Sequence, residues 1–410
     1  MMRKDGSCLT DHISLGVLTR LIRRDLVDEV VAECGKREKR SRLLPAHVVV
    51  YYVLALNLFF GDSYEEVMRR LVGGLQFLKN WAKEWHVPTT GAVSQARARL
   101  GEGPLKLLYE RIAVPTDSHG VAGAWLAGFR LMAIDGVVLD VPDTPANDAS
   151  FTRTGHADGQ AAFPQVRVVG LGECGTHAII GAAIASVGTG EQPLAEGLID
   201  QLESDMLLLA DRGFYSYSLF QQAIQTHAQL LWRVNSNVIL PVVEVLDDGS
   251  YLSVVIDTKS RLRMRYLNDE QIRDLIEQVG TTVRVVEYEV DNRGLGDGST
   301  YRLITTILDP DIAAAAELAA AYHQRWEFEL ALDEIEIHQT GHLRVLRSKS
   351  PEMVRQEIWS LLLTHYAIRD LMIQAADTSE EDLSRISFMR SIRAIRRQVN
   401  GLAAFSPHTT

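Results

Sequence analysis

The sequence predicts an α/β protein in which a sheet-forming middle is preceded by an all-helical region and followed by further helices. Three observations predict it. Up to about residue 125, apolar residues recur at spacings of three and four, the period of helices with one buried face. From about residue 128, short β-rich runs follow one another, and a helix precedes one more buried strand. From about residue 311, helical spacing returns.

In the first region, "LTRLIRRDLVDEVVAEC", "SYEEVMRRLVGGLQFLKNWAKEW" and "TTGAVSQARARLG" carry the helical pattern, with breaks at Gly35, Gly61 and Pro88. Between the first two lies "LLPAHVVVYYVLALNLFFG", Leu43 to Gly61, which has no formal charge. Its length approaches a membrane span, but Pro45, His47 and Asn57 interrupt it and charges flank it closely. A buried helix of a helical domain is the reading, with membrane contact as the alternative. "GKREKRSR" (Gly35 to Arg42) holds five basic residues and one acid, which suits either a solvated loop or a phosphate-contacting turn.

The middle opens with the strands "FRLMAIDGVVLDV", "PQVRVVGLGEC" and "HAIIGAAIASV". The helix "EQPLAEGLIDQLESD" then precedes the buried strand "MLLLA". Residues 229 to 307 are strand-rich: "QLLWRVNSNVILPVVEV", "SYLSVVI", "RLRMRYL", "VRVVEYEV" and "YRLITTIL" alternate with turn signals such as "DDGS" and "NRGLGDGS".

The chain of 410 residues is long enough for two or three domains, and 46% hydrophobic with 23% charged residues is ordinary for a soluble protein. A net charge of -11 argues mildly against a protein that coats itself in nucleic acid but leaves local basic patches open. Cys8, Cys34 and Cys174 are scattered without paired spacing, so disulfides and a zinc knuckle are not expected, and a cytoplasmic setting fits. "MMRKDGSCLT" leads into no apolar core, so no secretory signal is expected.

Two aspartates follow apolar runs. Asp135 closes "LMAI" and precedes Gly136; Asp211 closes "MLLLA" and opens "DRGFYS". Both are expected at strand ends, where ligands of open α/β sheets collect. Glu329 lies in "YHQRWEFELALDEIEIHQ". Read as one helix at about 100° per residue, that stretch puts Tyr322, Arg325, Glu329, Asp333 and Glu336 on one face. Converging carboxylates repel unless cations sit among them, and two hard divalent ions answer that need. Arg325 would hold a phosphate bidentately, and Tyr322 would bond a phosphate or stack on a base. Taken singly, each aspartate is as readily a turn cap, and Glu329 a partner of Arg325.

Three windows together resemble bacterial insertion-sequence transposases of the DDE type, in particular the insertion element four family. They are "AIDGVVLDVPDTPAN" (Ala133 to Asn147), "LLLADRGFYSYSLF" (Leu207 to Phe220), and "YHQRWEFE", which begins the family signature Tyr-x2-Arg-x3-Glu-x6-Lys. "PTTGAVSQARARLG", "LLWRVNSNVILPV" and "VLRSKSPEMVRQEIW" are also similar to family segments, so the likeness covers almost the whole chain. The resemblance implies an RNase H-like catalytic core with a β-rich insertion between Asp211 and Glu329. The implied division is a helical DNA-end-binding domain over 1–125, the first part of the core over 126–235, the insertion over 236–299, the rest of the core over 300–376, and a basic C-terminal helix and tail over 377–410.

It further implies that Asp135, Asp211 and Glu329 are metal-binding catalytic acids for two Mg²⁺ ions, with Mn²⁺ as a substitute. Tyr322 and Arg325 are the matched accessory residues. Arg212 and Trp326 join them as DNA-contact candidates, although core packing is the commoner role of Trp326 and of Trp232. The implied partners are DNA, as terminal inverted repeats and target, and a second copy in a synaptic dimer, with nucleoid association and no membrane. The alternatives are a catalytically impaired DNA-binding derivative and an RNase H-like host nuclease.

One position departs from the signature: the lysine is replaced by Glu336. At an effective dielectric of about 20, a carboxylate ~6 Å from a phosphate costs about 3 kcal/mol where lysine would gain about as much. A decayed copy, substitution by Arg344, Arg347 or Lys349, and a local slip of the alignment all account for it. "SRISFMRSIRAIRRQVNG" holds five arginines and no acid, and reads as an amphipathic basic helix with either a solvated or a DNA-contacting face.

Overall fold

A central strand with no charged side chain between Leu131 and Ile134 organises the molecule. A computed structural model describes residues 15–38, 44–73, 87–116, 118–156, 159–290, 299–339 and 345–399. Arg344, the second half of the basic run and the chain beyond Val399 lie outside the described residues.

The strands are β1 (Phe129–Asp140), β2 (Gln165–Glu173), β3 (Ile179–Ser186), β4 (Met206–Ala210), β5 (Gln229–Arg233), β6 (Glu244–Val245), β7 (Tyr251–Val255), β8 (Thr281–Val290) and β9 (Ser299–Thr305). They form one mixed sheet in the order β3-β2-β1-β4-β5-β9-β8-β7-β6, with the short strand Trp125–Leu126 pairing off this path onto β1. β1, β2 and β3 are successively antiparallel, whereas β4 lies parallel to β1 and β5 parallel to β4. Strands β9 to β6 continue the sheet antiparallel from β5. Leu131 to Ile134 and Met206 to Ala210 are buried without alternation, because helices cover both faces there.

The helices before the sheet are α1 (Arg24–Glu33), α2 (Ala46–Leu58), α3 (Tyr64–Gly73), α4 (Thr90–Leu100) and α5 (Gly103–Ile112). Every residue of α2 is buried, as a helix apolar on all sides must be. Among the described residues no helix is long and apolar enough to cross a membrane. Within and beside the sheet lie α6 (Pro145–Phe151), α7 (Glu191–Ile199), α8 (Tyr217–Gln225), α9 (Thr258–Met264) and α10 (Asp269–Val279). After it come α11 (Ala315–His323), α12 (Arg325–Asp333), α13 (Pro351–Ser379) and α14 (Phe388–Val399).

Helix α13, about 44 Å long, packs on α2, α5 and the edge strand β3, so it joins the helical region to the sheet. The fully buried Arg97 of α4 fixes that junction by donating to Gln356 Oε1 at 2.8 Å, Ser348 Oγ at 2.9 Å and the Met353 carbonyl at 3.2 Å.

Four sequence expectations need correction. Asp135 does not end its strand; β1 runs on to Asp140, and it is the parallel neighbour β4 that stops at that level, with Ile134 opposite Ala210. "RLRMRYL" is not a strand but the end of α9 and a turn. Asp257 caps α9 by accepting the Lys259 and Ser260 N–H groups, and no residue of α9 is buried, so the apparent alternation had no buried face behind it. "NSNVILPVVEV" contributes only the two-residue β6, with Ile239, Val242, Val243 and Val245 exposed. The stretch Tyr322 to Gln339 is not one helix: it breaks at Gln324, and a π-helical segment, Glu334–Gln339, follows α12.

Helix α12 crosses close over the sheet because β2 is bare where it passes. A Cβ on Gly172 would stand 2.5 Å from the Phe328 ring and 2.6 Å from the Ala178 carbonyl oxygen; one on Gly170 would stand 3.3 Å from Phe328. Gly170 pairs directly with Asp135, so the helix bearing Glu329 is seated against the strand bearing Asp135. We expect Gly172→Ala to cost about 1–3 kcal/mol in chemical denaturation, through overpacking under Phe328. A loss below about 0.5 kcal/mol would show that the helix does not sit this close.

Candidate active site

Because β4 stops opposite Ile134, Asp211 comes off its end beside Asp135, which stays within β1. Helix α12 brings Glu329 to them, since Phe328 and Leu332 face the sheet and Glu329 sits at the edge of that buried face. The centre of the group is a guanidinium. Arg325 Nη1 donates to Asp135 Oδ2 at 2.9 Å and lies 2.6 Å from Glu329 Oε1. Its side chain is 7% exposed, against 22% for Asp135 and 33% for Glu329. Asp135 Oδ1 accepts the Gly136 N–H at 2.8 Å.

Asp211 is held from the other side. The Tyr322 hydroxyl donates to its Oδ1 at 3.1 Å, and Arg233 Nη1 lies 3.6 Å from the same oxygen. Arg233 also stacks over Tyr301, 3.9 Å from the ring centroid.

The energetics are those of gathered acids. Burial raises the Asp135 carboxyl above its ordinary value; the Gly136 N–H and Arg325 oppose this, and the Asp211 charge adds to it. Burial also raises Glu329, with Arg325 opposing and both aspartates adding. Burial lifts the Tyr322 phenol far above its usual value, so it remains a donor to Asp211.

The structure therefore brings together Asp135, Asp211, Glu329, Tyr322 and Arg325. Tyr322 and Arg325 face carboxylates, and Tyr322 is buried, so in this arrangement neither is presented to a phosphate or a base. Arg212 is exposed one residue beyond Asp211. Trp326 is not packed in the core but 51% exposed beneath the Arg325 guanidinium, 5.1 Å from its ring centroid. Trp232 is the core residue, fully buried on β5 and set edge-on against Phe220. Asp333 is exposed, and Glu336 is half-buried in the π segment, where the wider turn shifts its phase away from Glu329. Arg347 does not stand in for a lysine near the acids: it donates to the Phe60 and Asp62 carbonyls.

Among the described residues, no group of three or more His, Cys, Asp or Glu side chains is placed to hold a metal ion. Carboxylate oxygens are the donors that hard divalent cations take, and here Arg325 stands between Asp135 and Glu329 and supplies the positive charge.

The transposase DDE domain model matches residues 127–366, which include all five residues of the cluster. The model for the insertion element 4 transposase N-terminal region matches residues 12–110. The chain belongs to the insertion element 4 family of DDE transposases. It is 29% identical over 388 residues to the transposase InsG for insertion sequence element IS4 of Escherichia coli (strain K12), covering 93% of this chain and 82% of that one. It is 26% identical over 194 residues to the putative transposase InsZ of the same strain, covering 47% of this chain and 62% of that one. A piggyBac transposase synaptic complex with hairpin DNA shares 10% identity with a TM-score of 0.48, over 95% of this chain and 80% of that one.

Two features of this transposase escaped sequence reasoning. Arg233 ends the apolar run "LLW" as Asp211 ends "MLLLA", so the same signal marks it. The other is a buried polar node behind α12. Glu334, the first π residue, is bound through both oxygens by Arg369 of α13 and lies 3.0 Å from His365 Nε2. Arg369 also donates to His177 Nδ1, and His177 Nε2 lies 3.1 Å from Glu327 Oε2. The node ties α12 to α13 and to the β2–β3 turn, and its members come from segments too far apart in sequence to be paired by pattern.

The node predicts acid sensitivity. Although burial opposes it, the contacts of His177 and His365 and the charge of Arg369 hold the Glu334 carboxyl well below its ordinary 4.5. Burial depresses His365 below its ordinary 6.5. Both groups bind protons more readily when the chain is unfolded, so stability falls as pH drops. We expect the urea midpoint to decline below about pH 6.5 and more steeply below about 4.5, and Glu334→Gln to remove the steeper part. A midpoint flat from neutral pH to pH 4.5 would contradict this.

Proposed function

We propose that this transposase cuts DNA at the terminal inverted repeats of its own element and joins the freed 3′ ends to target DNA, with Asp135, Asp211 and Glu329 as catalytic acids. The meeting of Asp135 and Glu329 on Arg325, with Asp211 beside them on Tyr322, inside the stretch that matches the DDE domain, carries the reading. The strand order β3-β2-β1-β4-β5, three antiparallel strands followed through helices by two parallel ones, supports an RNase H-like core.

Asp135, Asp211 and Glu329 would hold the divalent ions. Two Mg²⁺ ions, when bound, supply activation of the attacking water or 3′-hydroxyl and stabilisation of the leaving oxygen. Tyr322 fixes the Asp211 carboxylate through Oδ1. Arg325 keeps Asp135 and Glu329 close despite their charges and holds them oriented. Gly136 N–H fixes the other oxygen of Asp135. The exposed Arg212 and Trp326 flank the acids and would meet the DNA backbone and a base. Because two ends must be joined, the working form is a homodimer.

The test is Mg²⁺-dependent nicking at the 3′ ends of the flanking repeats. Asp211→Ala should lower it at least 10³-fold while repeat binding persists. In parallel, Mg²⁺ should raise the melting temperature of the wild type and not of Asp211→Ala. Wild-type protein that binds the repeats but never cuts them with Mg²⁺ or Mn²⁺ would end the enzyme reading.

A further inference from the structure

The C-terminal helix α14 is amphipathic in a way the acid cluster does not use. Phe388, Ile392, Ile395 and Val399 are buried, and the helix packs on α13 and on Gly16–Arg20. Its opposite face exposes Arg390, Arg393 and Arg397, at spacings of three and four, with no acid in the helix. Their Cα atoms span about 10 Å, a length over which one DNA strand carries about three phosphates. Among the described residues none of the three guanidinia has an ion-pair partner, although the chain is net acidic.

The rail ends in an open cavity of about 300 Å³ lined by Phe59, Gly61, Asp62, Arg70, Arg396 and Arg397. The wall is built rigidly. Arg396 Nε donates to the Leu58 carbonyl at the end of α2. Arg70 Nε lies 2.5 Å from Asp62 Oδ2, and its guanidinium is 5.0 Å from the Phe59 ring centroid. Burial lowers the Arg396 pKa; Asp62 opposes this, and the charges of Arg393 and Arg70 add to it. Three guanidinia around the concavity face Asp62 in its lining and Glu66, 3.7 Å from Arg70 Nε, which still leaves an excess of positive charge that an anion relieves.

The cavity is also tied to the catalytic strand. Arg347 donates to the Asp62 carbonyl at 2.7 Å and the Phe60 carbonyl at 3.3 Å, so it holds the rim. The neighbouring Leu346 N–H donates to the carbonyl of Asp140, the last residue of β1. Few bonds therefore separate the rim from the strand that carries Asp135.

We propose that the Arg390–Arg393–Arg397 rail and the Arg70–Arg396–Arg397 cavity form a phosphate-binding site that grips the DNA backbone without reading sequence, and holds the duplex at a fixed distance from the acids. The inference rests on the transposase reading above. It assigns to the two ends of the chain one composite surface, with N-terminal residues supplying one wall and the C-terminal helix the other.

The test is fluorescence anisotropy with the full chain and no divalent ion, on an element-end duplex and an unrelated duplex of equal length, from about 50 to about 200 mM salt. Arg397→Gln should weaken both complexes by the same factor and lower the slope of log K against log salt by about 0.9, with an unchanged melting temperature. Arg393→Gln with Arg397→Gln should lower it by about 1.8. Arg273→Gln, on the acid-rich helix α10, removes the same charge elsewhere and should leave the slope unchanged. An unchanged slope in the double variant overturns the proposal, as does an equal change in Arg273→Gln. Inorganic phosphate that stabilises the wild type while the DNA slopes stay unmoved would assign the cavity to a free anion and overturn it too. Wild-type binding without cutting sinks the catalytic reading and leaves these slopes readable; cutting with an unmoved slope sinks only this inference.

Discussion

The guanidinium of Arg325 is the interaction on which the rest of the site depends. Asp135 and Glu329 are carried by a strand and a helix that have no covalent reason to meet, and their charges oppose the meeting. A nearly buried cation between them turns repulsion into two charge-assisted hydrogen bonds. Burying an ion pair costs desolvation, but here the acids retain partial exposure and the cation does not, so the open side of the group is carboxylate. A site built this way presents oxygen donors outward while its own cation keeps the backbone elements together.

Much of the fold serves that meeting. The end of β4 one step short of Asp135 frees space for two aspartates side by side. Gly170 and Gly172 let Phe328 descend onto β2, which sets the depth of α12. The Glu334 node then fixes the far end of α12 to α13, and α13 in turn carries the helical region through Gln356 and its contact with Arg97. The N-terminal helices are thus not a separate appendage: they share α13 with the sheet, and through Arg396 they share their surface with the C-terminal helix.

The acids were legible because a charged residue straight after a long apolar run has to leave the core. That signal marked Asp211 beyond "MLLLA" and applies equally to Arg233 after "LLW"; Asp135 follows "LMAI" but lies within β1, and the family resemblance is what set the acids apart from the others. The buried strands and the wholly apolar α2 were legible for the same reason: burial on all sides leaves no alternation to misread. Where elements are solvent-exposed the signal failed. The alternating "RLRMRYL" buries nothing and is set by the Asp257 cap and the Asn268–Gln271 capping box, local bonds that hydrophobic period does not reveal. The supposed single rail from Tyr322 to Glu336 assumed one helical phase. Gln324 interrupts the helix between Tyr322 and Arg325, which reach different aspartates, and the π segment shifts Glu336 out of phase with Glu329. The buried His177, Glu334, His365 and Arg369 node was invisible because its members are joined only by tertiary packing.

Arg325 and Asp135 are energetically coupled across the junction of α12 and β1. A double-mutant cycle of Arg325→Gln and Asp135→Asn, read as unfolding free energy in the presence of a chelator, measures that coupling directly. The expected coupling is about 1–3 kcal/mol: Arg325→Gln leaves both acids without their shared cation, whereas Asp135→Asn leaves Arg325 on Glu329 alone. Additivity within about 0.3 kcal/mol would contradict it.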